Sequence, residues 1–149
     1  MTDERMLIEL SPDESVRLLS SASMGRVAFS ARALPAIRPV NHLIDDDHVI
    51  IRTDTGASIT SGLRAGGQAV VAYEADEIDQ AQRLGWSVVV VGVARQVTDP
   101  GEAAAYRRSL RPWVAGSKDQ VIAIHIDLIT GYRLTPAPTR AAAGASLSP

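Results

Sequence analysis

The sequence has no cysteine among its 149 residues. That excludes disulfides, a thiol nucleophile and zinc–thiolate sites, and it favours a reducing compartment. It also lacks a dominant charge: 15 Lys and Arg against 17 Asp and Glu leave a net −2. No basic footprint marks a nucleic-acid partner. No long hydrophobic run is present either. The longest lies around Val88–Val91, far too short to cross a bilayer. The first residues, Met1-Thr2-Asp3-Glu4-Arg5, are charged and no apolar stretch follows them. A secretory leader is therefore not expected, and a soluble cytoplasmic protein is.

Motifs for catalysis are missing as well. The three histidines, His42, His48 and His125, are dispersed, with no HExxH pair, so no metal site is assigned. Asp45-Asp46-Asp47 lacks the later ligands of a calcium loop and reads as a turn. There is no GxSxG elbow, no GxGxxG and no GxxxxGK[ST], which leaves hydrolase and nucleotide-phosphate readings unsupported. No catalytic residue is assigned.

What is there is a chain that is 46% hydrophobic, enough for one globular domain with a real core. Ser11-Pro12-Asp13-Glu14 carries the signature of a capped helix start, and Asp99-Pro100-Gly101-Glu102 repeats it. Leu7–Leu10 is a short apolar lead-in. Strands are expected at 26–30, 35–44, 48–53, 68–74, 85–98 and 121–128, with Thr130–Leu134 extending or closing the last one. A short helix is expected at 58–65, and 75–84 is expected to be an exposed acidic connection. Gly92 interrupts the valine run, a natural place for a bend or bulge. Pro35 and Pro39 imply that their strand is an edge or is bulged. The connections at 31–34 and 45–47 are too short for parallel crossovers. The expected fold is mainly β: an antiparallel Greek-key barrel of about six strands with peripheral helices, over 1–134. Residues 135–149 are small, Pro-rich and without periodicity, and are expected to form a disordered tail.

The stretch 35–64 is the most informative. It reads as strand, acidic turn, strand, then the polar loop Thr53-Asp54-Thr55-Gly56-Ala57-Ser58 running into a helix. That loop suits a phosphate cradle or an ordinary helix cap. Arg38, Arg52 and Arg64 could recognise phosphate through bidentate hydrogen bonds or sit solvated at the surface. Trp86 could stack on a planar ligand, pack at a subunit interface or belong to the core. His42 is compatible with a ligand contact or with a half-exposed strand position.

These pieces, in this order, resemble the pyridoxamine 5′-phosphate oxidase-like family, the flavin-binding split β-barrels. The resemblance spans about 7–134 and rests on SPDESVRLLSSASMGRVAF, PAIRPVNHLIDDDHVIIRTDTG, GWSVVVVGVARQVTDP, RPWVAG and DLITGYRL. It implies a homodimer with flavin mononucleotide (FMN) in clefts at the interface. By resemblance, Arg38, Pro39, Val40 and Asn41 would run along the isoalloxazine ring and offer backbone hydrogen bonds. Arg52 and Thr53 would approach the phosphate, and the loop to Ser58 would complete its cradle. Trp86 and Ser87 would reach the same cleft. Members that bind flavin tightly usually carry a basic residue where this chain has Ser58-Ile59. The implied function is an FMN-dependent oxidoreductase acting on a small molecule. A deazaflavin-dependent reductase, or a non-catalytic dimeric module binding flavin or haem, are the alternatives.

Overall fold

The computed structural model describes residues 4–53, 59, 68–111 and 120–138. Its described elements are β1 (Arg5–Glu9), α1 (Pro12–Ser21), β2 (Met24–Ala31), β3 (Leu34–Asp45), β4 (His48–Thr53), β5 (Gln68–Asp79), β6 (Leu84–Gln96), α2 (Pro100–Ser109), β7 (Gln120–His125) and β8 (Leu128–Pro136). Both helices start where the capping signals place them. Ser11 Oγ accepts from the Glu14 N–H at 3.2 Å, and Asp99 Oδ2 accepts from the Glu102 N–H at 2.8 Å. Each satisfies one of the donors a helix start leaves unpaired.

The strand pairings are all antiparallel and close into a ring, β6–β5–β2–β3–β4–β7 and back to β6. The mainly β split barrel expected from the sequence is the architecture observed. The split is made by β6. One edge pairs with β5 from Leu84 to Arg95. The other pairs with β8 from Gly85 to Val91, then with β7 from Ala94 to Gln96. Gly92 sits at this fork. A Cβ there would lie 1.6 Å from the His125 carbonyl oxygen, so only glycine lets the link between β7 and β8 pass. Asp127 Oδ2 accepts from the Val93 N–H at 3.1 Å, supplying a partner between the two pairings.

Three sequence expectations are corrected. The stretch 75–84 is not an irregular connection: β5 continues to Asp79, each residue paired with β6, and Ala75 is fully buried. Its acidic composition argues against a strand locally, but Glu74 and Asp76 lie on the outward-facing side and the long partner strand decides. The lead-in at Leu7–Leu10 is strand as far as Glu9, the end of β1, which is held by β8. The region after Val121 is two strands, broken at Ile126 and Asp127, because β7 closes the barrel while β8 leaves it. β8 continues through Thr135 and Pro136. The expected helix at 58–65 lies outside the described residues except for Ile59, which is buried in the core.

The barrel interior is filled by Val27, Phe29, Val49, Ile51, Tyr73, Val88, Val90, Ile122 and Ile124. A second apolar layer, Ile50, Val121 and Ala123 with Val97, Ala103 and Leu110, packs α2 onto the outside of β4 and β7. Among the described residues, no helix is long and apolar enough to cross a membrane.

Candidate functional site

β3 is paired unevenly. Leu34–Asn41 pairs with β2, but β4 joins only from His42, opposite Ile51. Beyond that pair the β3–β4 ladder stops, although β4 runs on to Thr53. Arg38, Pro39, Val40 and Asn41 therefore lie on an edge with no strand partner among the described residues. This is where Pro35 and Pro39 can be accommodated, and such an edge offers its backbone polar groups to a ligand.

Side chains from both strands reach the C-terminal end of α2. Asn41, buried, donates from Nδ2 to the Arg111 carbonyl at 2.6 Å. Arg52 Nη1 donates to the carbonyls of Arg107 and Leu110, both at 3.3 Å. These carbonyls belong to the helix C-terminus, where a cation is favoured. Arg38 is exposed, with Nη1 on the Ile37 carbonyl at 3.2 Å.

Alternation along β4 sends Arg52 and Thr53 to opposite faces. Val49 and Ile51 belong to the barrel interior, Ile50 to the layer under α2. Thr53 follows the first set. It is buried and paired in register with Gln120 of β7, itself in phase with Ile122 and Ile124. Gln120 Oε1 is buried and, among the described residues, is the side-chain polar atom left without a hydrogen-bond partner. Sequence reasoning passed over Gln120. The signal was there: a polar residue standing in phase with the buried face of an alternating strand.

Behind the open edge lies a buried polar pair. His42 Nε2 donates to the Leu19 carbonyl at 2.9 Å, so Nδ1 is the acceptor for the Tyr73 hydroxyl at 2.5 Å. Burial holds the His42 pKa below its ordinary value, and burial raises that of Tyr73. His42 is thus a neutral, doubly bonded core residue, not half-exposed. Gly25 makes the pair possible, since a Cβ there would lie 2.4 Å from the Tyr73 hydroxyl.

Trp86 and Ser87 are not brought to this place within one chain. They are separated from β3 by β5 and β2, three strand spacings, or roughly 14 Å along the sheet. Trp86 is mostly buried in the core. With Ser87, Leu7, Ile78, Tyr132 and Leu134 it lines a small apolar cleft of about 60 Å³. Ser58 and Arg64 lie outside the described residues. A larger polar cavity of about 290 Å³, lined by Asp45, Asp47, His48, Arg95, Glu102 and Tyr106, sits at the far end of the β3–β4 hairpin. It takes in His48 and the acidic turn but none of the residues that the resemblance places at a flavin.

A six-stranded antiparallel barrel whose longest strand is shared with a two-stranded extension defines the class: a split β-barrel. The chain belongs to the pyridoxamine 5′-phosphate oxidase family, whose model matches residues 11–133. It is 50% identical over 132 residues, 87% of each chain, to the uncharacterized protein Rv0080 of Mycobacterium tuberculosis. Among solved structures it is similar to a Corynebacterium glutamicum protein named for pyridoxamine 5′-phosphate oxidase. That match has 31% identity and a TM-score of 0.71, covering 88% of this chain and all (100%) of the other. It is also similar to the FAD-binding protein of Mycobacterium smegmatis, with 30% identity, a TM-score of 0.66, and 86% and 98% of the two chains covered.

Proposed function

We propose that this protein binds a flavin, FMN in the first instance, and works as a flavin-dependent oxidoreductase on a small molecule. The observation that carries the reading is the open edge of β3 at Arg38–Asn41, beside the ends of β4 and β7. A planar ring needs such a row of backbone donors and acceptors. Arg52 and Thr53, with the loop to Ser58, are the candidates for the phosphate end, and the buried Gln120 Oε1, without a partner among the described residues, supports a polar ligand there. The FAD-binding relative at 30% identity supports a flavin without choosing between FMN and FAD.

A bound flavin supplies the redox chemistry itself. The chain's part is to bind, orient and keep water out. No acid or base is needed from His42, whose ring nitrogens are both engaged. Trp86 and Ser87 would complete the cleft from a second copy, so the reading calls for a homodimer. The outer sheet face supports this. Ile37, Ala28, Ala72, Val91 and Leu128 form one row in register across β3, β2, β5, β6 and β8. Ile37 and Leu128 are 61% and 67% exposed, an apolar strip of the kind that marks an interface.

The sequence at Ser58 favours a second reading. Without a basic residue there, a phosphate loses a charge-assisted contact worth about 1.5–3 kcal/mol. This suits a deazaflavin coenzyme, or a non-catalytic module that binds flavin or haem. Fluorescence titration of the purified protein with FMN, FAD and a deazaflavin coenzyme decides. Saturable FMN binding with reduction of the bound flavin by a nicotinamide donor supports the oxidoreductase. Binding without turnover leaves the carrier module, and no binding of any flavin removes the reading.

A further inference from the structure

We propose that Gln120 holds the sugar-alcohol chain of the flavin, its Oε1 accepting a hydrogen bond from a ribityl hydroxyl. This rests on the flavin reading above. Gln120 opens β7 opposite Thr53, the last residue of β4, and the alternation of both strands turns the two side chains to the same inward face. Its Oε1 is shut off from solvent without a partner among the described residues. A buried acceptor left in that state weakens the folded protein, so the position is retained at a cost unless a ligand satisfies it.

The chemistry of the atom selects the ligand group. An amide oxygen only accepts. A phosphate dianion also only accepts, so Oε1 does not hold it. A flavin nucleotide carries its hydroxyl donors on the ribityl chain, next to the phosphate. That chain is shared by riboflavin, FMN and FAD, so Gln120 would discriminate for the polyol and not among the nucleotides. A flavin ring without the chain would gain nothing from it.

The test uses Gln120→Met, which keeps the length and removes the acceptor, and Gln120→Glu, which keeps an acceptor. Riboflavin, FMN and lumiflavin, the ring without the polyol, are titrated by fluorescence. The Met variant is expected to bind riboflavin and FMN about threefold to tenfold more weakly and lumiflavin as the wild type does. Its ligand-free form should melt no lower than wild type, because the unpaired acceptor is gone. The Glu variant should keep wild-type riboflavin affinity. Unchanged FMN and riboflavin binding in the Met variant, or an equal loss for lumiflavin, overturns the assignment while leaving the flavin reading intact. A wild type that binds none of the three overturns both.

Discussion

Arg52 is the side chain in which the fold and the proposed site meet. The family resemblance implies that it approaches a phosphate, while the structure aims Nη1 at the last carbonyls of α2. Arg52→Ala should therefore do two things. Stability should fall by about 1–2 kcal/mol in urea unfolding, because carbonyls lose a charged donor. FMN affinity should fall about tenfold or more if the phosphate sits at this end. The Nδ1 of His125 lies 2.6 Å from Asp127 and its Nε2 3.0 Å from Asp47, with the His48 ring edge-on at 5.1 Å. The Asp127 and Asp47 carboxylates hold the His125 pKa above its ordinary 6.5, and the His125 contact holds the Asp47 pKa below 3.8. A raised histidine adds stability that is full below pH 6.5 and lost as pH rises through the folded value. Glu74, pushed up to about 7 by burial and then by Asp76, adds its own decline between 4.5 and 7. Melting temperature against pH should fall for the wild type above pH 6.5, and His125→Gln should flatten that part while keeping the Glu74 decline. An unaltered profile would remove His125 from the account.

At the scale of elements, β6 is the member on which the rest depends, since it pairs with β5, β7 and β8. Its division needs Gly92, and here the sequence was informative: a glycine after four valines marks a place where side chains are not wanted. Gly92→Ala sets a methyl against the backbone of His125. Backbone cannot swing aside as a side chain does, so a loss above about 3 kcal/mol is expected in chemical unfolding. A variant as stable as wild type would mean that the fork opens without strain. The helix starts were equally legible, because caps are local: Ser11 and Asp99 each bond a residue three positions on. The length of β5 was not legible, because its acidic end is a strand only by virtue of its partner.

At the scale of the whole molecule, the outward row from Ile37 to Leu128 is the surface a second copy would cover. Leu128→Arg, at an exposed position, should leave the monomer folded and prevent pairing through like charges across the two-fold axis. Light scattering should then return the mass of one chain, against twice that for the wild type, and flavin affinity should drop with it if Trp86 and Ser87 act across the interface. A wild type that is monomeric at micromolar concentration would sink the homodimer. An intact dimer in the variant would move the interface elsewhere.

The sequence by itself determined the antiparallel β class, the two capped helices, the acidic hairpin at Asp45–Asp47, the special place of Gly92 and the family. All of these rest on contacts within a few residues or on the order of such signals along the chain. Tertiary structure alone decided that β6 divides between β7 and β8, that the β3–β4 ladder stops at His42, that His42 is buried against Tyr73, and that Arg52 and Thr53 face apart. It alone left Gln120 Oε1 without a partner among the described residues. Each of these depends on which distant strand lies alongside, for example Thr53 beside Gln120. A residue's partner across a sheet is set by the packing of the whole barrel, so its role does not appear in the residues on either side of it.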